Sequence, residues 1–172
     1  MFIPVIDLFS GPGGLGEGFS AYEDEGRARF KVALSVEKDR SAYRTLMLRA
    51  FFREFSSAPD DYYQHLRGEI SDKELYKMYP KESSLARLVV RNEELGENEY
   101  TRKVLPSEID SIVSHDPNWV LIGGPPCQAY SLAGRSRNKG VKGYSTEKDH
   151  SHFLYEEYLR VIYNHWPAVF VM

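Results

Sequence analysis

The chain has 172 residues, 42% of them hydrophobic and 27% charged, with a net charge of −3 and one cysteine. That length suffices for one domain with a real core, and no apolar run approaches the roughly 20 residues a membrane helix needs. The balance excludes a chain that clamps nucleic acid through its overall charge, and a lone cysteine with no basic leader ahead of the apolar N-terminus points to a reducing, cytoplasmic setting.

Residues 2–9 are apolar and β-branched and read as a buried strand. Ser10-Gly11-Pro12-Gly13-Gly14-Leu15-Gly16 follows and contains Gly-x-Gly-x-x-Gly, with Leu15, Phe19 and Tyr22 beyond it at helical spacing. Strand, glycine turn and helix form the context in which such a turn cradles a nucleotide: glycine allows close approach, and the helix start offers free N–H groups. Residues 31–36 form a second strand ending in Glu37, a carboxylate placed to accept hydrogen bonds from ribose hydroxyls. Asp39 is positioned to cap a helix carrying Ala42, Tyr43, Leu46, Met47 and Ala50 on one face. Together these features point to a nucleoside-containing cofactor; the bland alternative is a tight turn between packed elements with Glu37 merely solvated.

Residues 51–106 are polar and read as an insertion between the second and fourth strands. Within them Ser71-Asp72-Lys73-Glu74 is a capping-box pattern, and Leu85, Ala86, Leu88 and Val89 suggest a helix closing before Gly96. The charged run 91–103 reads as solvated surface, and Tyr62, Tyr63, Tyr76 and Tyr79 as packing residues. A helix over 106–114 and a strand from Trp119 lead into Leu121-Ile122-Gly123-Gly124-Pro125-Pro126-Cys127-Gln128-Ala129-Tyr130-Ser131. The Pro-Pro pair fixes two φ angles just before Cys127 and so presents it rigidly at a sheet edge. A thiol there is either an inert small hydrophobe or a nucleophile with a lowered pKa. Residues 134–145 are glycine-rich and basic: either a lid that contacts phosphates or a solvated linker. A helix over 153–165 ends at Pro167, before a last apolar strand, 168–172. His150, His152 and His165 lack metal-ligand spacing, so no metal is expected.

The two site signatures together resemble the S-adenosylmethionine-dependent DNA cytosine-5 methyltransferases. Asp7-Leu8-Phe9-Ser10-Gly11-Pro12-Gly13-Gly14 is similar to that family's first motif, and Gly124-Pro125-Pro126-Cys127-Gln128 with Ser131 to its catalytic motif. Asp149 and Leu154 resemble a further cofactor motif, although Ser151 stands where the family often has arginine; Gly68-Glu69-Ile70 is a candidate for the acid after the third strand. The resemblance implies an α/β, Rossmann-like fold with a mostly parallel sheet and flanking helices. It implies S-adenosyl-L-methionine held by Phe9, Ser10, Gly11, Gly13, Gly14, Glu37, Pro126 and Leu154. Cys127 would attack carbon 6 of a cytosine flipped out of double-stranded DNA, with Gln128, Ser131 and Arg135 contacting the DNA. The family's Glu-Asn-Val and Gln-x-Arg-x-Arg motifs and its target-recognition domain have no counterpart here. The expectation is therefore the N-terminal part of a catalytic domain, inactive alone and prone to self-association through the exposed edge of strand 168–172. A bacterial restriction–modification setting is the natural one for such an enzyme. A transfer-RNA cytosine methyltransferase carries the same motifs, and a non-catalytic module completed by a second polypeptide is the reading from another class. A nicotinamide dehydrogenase has no use for the Pro-Pro-Cys-Gln turn.

Overall fold

The computed structural model describes residues 2–114, 118–126 and 154–172. In chain order it contains β1 (Ile3–Leu8), α1 (Gly14–Ala21), the short strands β2 (Glu23–Asp24) and β3 (Arg27–Ala28), and β4 (Phe30–Val36). Then come α2 (Arg40–Phe52), α3 (Asp60–Leu66), α4 (Asp72–Met78), α5 (Pro80–Val89) and β5 (Val90–Arg91). A π-helical turn (Tyr100–Val104), α6 (Leu105–Val113), β6 (Val120–Gly123), α7 (Leu154–His165) and β7 (Val169–Val171) complete the described elements.

Five strands form one parallel sheet in the order β5-β4-β1-β6-β7. Parallel strands must be covered on both faces, and alternation along β1 meets that demand. Ile6 and Leu8 point into a core with Leu105 and Ile109 of α6 and Tyr158 and Val161 of α7. Val5 joins Val32, Val120 and Ile122 on the opposite face, against Phe19 of α1. The chain leaves β1 toward β4 and β5, then returns to the other side of β1 for β6. That reversal makes the C-terminal ends of β1 and β6 a topological switch point, where such sheets open a crevice.

Local chemistry explains the helix ends. Asp39 caps α2, its carboxylate accepting from the Ser41 and Ala42 N–H groups at 3.0 and 2.8 Å. Ser71 and Glu74 form the expected capping box at α4. The four tyrosines of the polar region do pack: Tyr62, Tyr76 and Tyr79 lie against the α2–α5 core, Tyr76 and Tyr79 with their rings 5.2 and 6.0 Å from Phe51, and Tyr63 meets Tyr62 edge-on.

The stretch 51–106 contributes a short strand to the sheet. Val90 and Arg91 pair with Ser35 and Val36 as the third strand of the sheet. Leu95, inside the run expected to be solvated, is buried in the main core. A two-residue strand fed directly by a helix has too few residues to show a period, which is why it escapes notice. The candidate acid at Glu69 is displaced with it: Glu69 is exposed and paired with Arg67, and follows no strand of the sheet.

The tightest contact lies where β6 ends. A Cβ at Gly123 would sit 2.0 Å from the Leu8 carbonyl oxygen and 3.1 Å from the Tyr158 ring. The Tyr158 hydroxyl donates to the Val171 carbonyl oxygen at 2.8 Å, with the Leu121 oxygen 3.2 Å away, so α7 ties β6 to β7. Gly123→Ala must push β1 and β6 apart, and we expect a loss of about 3 kcal/mol of stability, read as a lowered urea midpoint.

Candidate functional site

The crevice at the switch point is a cleft of about 210 Å³ whose walls include Phe9, Gly11, Glu37, Gly124, Pro126 and Leu154. Each wall follows from the element before it. Phe9 is the first residue past β1 and adopts a left-handed backbone at φ 55°. For a bulky side chain this conformation is costly, on the order of 1–3 kcal/mol, and persists only where the surroundings enforce it. Here the Ser10 hydroxyl donates to the Asp7 carbonyl oxygen at 2.7 Å and the Ser10 N–H to the Val36 carbonyl at 3.1 Å, which locks the turn and leaves Phe9 between core and cleft.

Glu37, the residue after β4, closes the opposite wall. Its carboxylate accepts from the Gly11 N–H at 2.8 Å and from the Asp39 N–H at 2.7 Å. One side chain thereby holds both the glycine turn and the start of α2. Each carboxylate oxygen has a second acceptor site, so both remain able to take hydroxyl donors from the cleft. Asn92, just past β5, donates its amide to the Glu37 and Lys38 carbonyl oxygens at 2.9 and 3.0 Å, and Glu93 and Leu95 complete this side.

The other glycine-turn residues do different work. Gly13, at φ 88°, faces α2: a Cβ there would come within 2.6 Å of Leu46. Gly16 lets α1 approach the sheet, with a Cβ position 3.2 Å from an Asp7 carboxylate oxygen. Gly14 is the exposed first residue of α1. Of the eight residues expected around the cofactor, Phe9, Gly11, Glu37, Pro126 and Leu154 line one cleft, whereas Ser10, Gly13 and Gly14 shape the turn behind it. Glu93, Leu95, Val36, Lys38 and Gly124 line it without having been foreseen. Cys127, Gln128, Ser131, Arg135 and Asp149 lie outside the described residues, as do His150 and His152. His165 pairs with Asp110 at 2.9 Å and packs at the end of α7. Among the described residues no group of three metal-ligating side chains occurs, and no helix is long and apolar enough to cross a membrane.

The model of the C-5 cytosine-specific DNA methylase family matches residues 70–172. The chain belongs to that family. Similar proteins extend the match across the N-terminal glycine turn. The type II methyltransferase M.Bpa9945I of Bacillus paralicheniformis is 34% identical over 97% of this chain and 39% of its own length. The type II methyltransferase M.AquIA of a Picosynechococcus species is 32% identical over 98% of this chain and 46% of its own length. A putative type II methyltransferase of Methanocaldococcus jannaschii is 27% identical over the whole chain and 48% of its own length. The chain spans less than half the length of these relatives. No solved structure gives a significant match. The five-stranded parallel sheet with flanking helices is the Rossmann-like α/β fold expected of a methyltransferase.

Behind the cleft, Asp7 is 1% exposed, and neither carboxylate oxygen has a hydrogen-bond partner among the described residues. Burial raises its carboxyl from 3.8 to about 7; the Ser10 hydroxyl, whose short bond goes to the Asp7 backbone, opposes this, Glu37 adds to it and Arg53 opposes it. A carboxyl whose pKa is higher folded than unfolded favours folding while protonated. The chain should therefore be most stable below pH 3.8 as far as Asp7 is concerned, and should lose on the order of 4 kcal/mol as pH rises through about 7. Asp7→Asn should abolish that part of the slope and raise stability at pH 8, measured by urea unfolding across the range.

Proposed function

We propose that this chain carries the cofactor half-site and the nucleophile of a DNA cytosine-5 methyltransferase. The observation that supports the reading is the convergence of Phe9, Gly11, Glu37, Pro126 and Leu154, from four separate stretches of sequence, on one cleft that ends at the residue before Cys127. The residues fit S-adenosyl-L-methionine. Phe9 supplies an apolar wall for a base, the Glu37 oxygens accept from ribose hydroxyls, and Gly11 leaves backbone room, since a Cβ there would meet nothing within 4 Å. At about 210 Å³ the cleft is smaller than the roughly 300–1,000 Å³ of complete small-molecule sites, which suits a site holding part of its ligand.

The bound cofactor supplies an electrophilic methyl group. The protein's task is to make carbon 5 of cytosine nucleophilic. Cys127, as a thiolate, adds to carbon 6, and the electrons of the 5,6 double bond move to carbon 5. Carbon 5 gains the methyl group and then loses its proton to a base; the double bond re-forms and the carbon–sulfur bond breaks. A thiol suits both steps because it adds readily and leaves as a stable thiolate. Pro125 and Pro126 hold the backbone before Cys127 with fixed φ, which limits the entropy lost in aiming the sulfur. The cytosine reaches it only out of the stack, and Gln128, Ser131 and Arg135 contact the DNA around the vacated position. The type II methyltransferase names of the relatives favour DNA over transfer RNA and a restriction–modification role inside the cell.

A second feature bears on assembly. Val169, Phe170, Val171 and Met172 are 54%, 52%, 39% and 65% exposed, an apolar strand at the sheet edge. We infer that β7 pairs with a further strand.

Calorimetric titration with S-adenosylhomocysteine should show single-site binding. Glu37→Ala should weaken it about 30-fold or more, the equivalent of about 2 kcal/mol for lost hydrogen bonds to a charged group. Unchanged binding in that variant would remove Glu37 from the site and the reading with it.

A further inference from the structure

A second cleft lies on the flank of the sheet, between α2, α4 and α5, and the proposed reaction makes no use of it. Its volume is about 440 Å³, and its walls include Tyr43, Arg44, Lys73, Tyr76, Lys77 and Arg87. Among the described residues Asp72 is the only carboxylate in its lining, and it pairs with Arg44 at 3.1 Å. Among the described residues Lys73, Lys77 and Arg87 have no carboxylate partner, while most cations elsewhere in the fold are paired. A chain of net charge −3 therefore gathers a local positive excess in one concavity.

The geometry of these cations is built in. Lys73 and Lys77 are one turn apart on α4, so they share a face about 6 Å apart. The capping box of Ser71 and Glu74 fixes the start of that helix. Arg87, on α5, lies over the Tyr76 ring at 5.8 Å from its centroid. Tyr76 in turn packs edge-on against Phe51 at 5.2 Å, so a rigid aromatic floor holds the guanidinium in place. Burial raises the Tyr76 phenol to about 12, so it stays a neutral donor beside the cations.

The position is equally specific. Tyr43 sits one turn into α2; its N–H donates to the Asp39 carbonyl at 2.8 Å, and the Asp39 N–H is itself held by Glu37. The flank cleft thus begins one helical turn beyond the cofactor cleft, near the same edge of the sheet. Several cations and a neutral phenol lining one cleft suit closely spaced phosphates.

We propose that this flank cleft binds the phosphodiester backbone of the DNA duplex beside the cytosine, as a sequence-independent anchor. The choice of DNA as the polyanion rests on the function proposed above; the cleft's preference for phosphates does not.

The test is fluorescence-anisotropy binding of the chain to a duplex of A·T pairs only, across a range of salt concentrations. That duplex offers Cys127 no cytosine and needs no cofactor. Wild type should bind with a linear dependence of log K on log[salt]. Lys73→Gln/Lys77→Gln should flatten the slope by about two and weaken binding about tenfold or more at moderate salt, with S-adenosylhomocysteine binding unchanged. The control Arg27→Gln/Lys31→Gln removes two exposed cations at the opposite end of β4 and should leave the slope nearly unaltered. Equal effects from the two double variants would reduce the result to net charge and overturn the proposal. So would a slope unaffected by the α4 variant, or failure of wild type to bind the duplex at all. Preferential binding of polyglutamate at equal charge concentration would also overturn it, in favour of an acidic protein segment. Loss of cofactor binding with duplex binding intact would count against the cofactor reading alone.

Discussion

Two backbone N–H groups, from Gly11 and Asp39, converge on the carboxylate of Glu37, and the candidate site depends on that convergence. The glycine turn after β1 and the start of α2 after β4 are 26 and 2 residues away in sequence, yet one side chain sets both. Without it the turn has, among the described residues, only the Ser10 bonds to hold it against the sheet. The rest of the site follows from topology. Once β1 lies between β4 and β6, the three loops leaving those strands must meet at one edge, and Gly123 permits β6 to approach β1 closely enough for Pro126 to face Glu37 across the cleft.

Unfavourable local features gather at the β1 end of the cleft. Phe9 in a left-handed conformation and the Asp7 carboxylate, which has no hydrogen-bond partner among the described residues, lie three residues or fewer from Ser10. Both cost stability in the folded chain. The large core of β1, α6 and α7 offsets such costs: Trp119, Tyr158, Leu105 and Ile109 are all buried to within 2% of complete. Arrangements of this kind, with local sacrifice beside a stable scaffold, are what a pre-formed binding edge requires.

Much of this was readable from the residues. β1, β4 and β6 are apolar runs bounded by turn chemistry, and Glu37 stands at the end of its run, so its place at the sheet edge followed. The capping residues Asp39 and Ser71 announced α2 and α4. What escaped was set by packing over long separations. β5 is two residues long, so neither it nor Glu93 and Leu95 beyond it carried a periodic signal. The glycine motif implied ligand approach throughout, but only Gly11 faces the cleft; Gly13 and Gly16 serve the contacts of α2 and α1 with the turn and sheet. A charged run such as 91–103 reads as solvent-facing, and nothing local reveals that Leu95 turns inward.

The central claim is that the switch-point cleft is where the cofactor binds. The most direct measurement is an amide ¹H–¹⁵N spectrum of the labelled chain titrated with S-adenosylhomocysteine. The account predicts saturating shifts at Gly11, Glu37, Glu93 and Gly124, with the amides around Lys73 and Lys77 unmoved. Shifts confined to the α2–α4–α5 flank, or no shifts in a well-folded chain at saturating ligand, would contradict it.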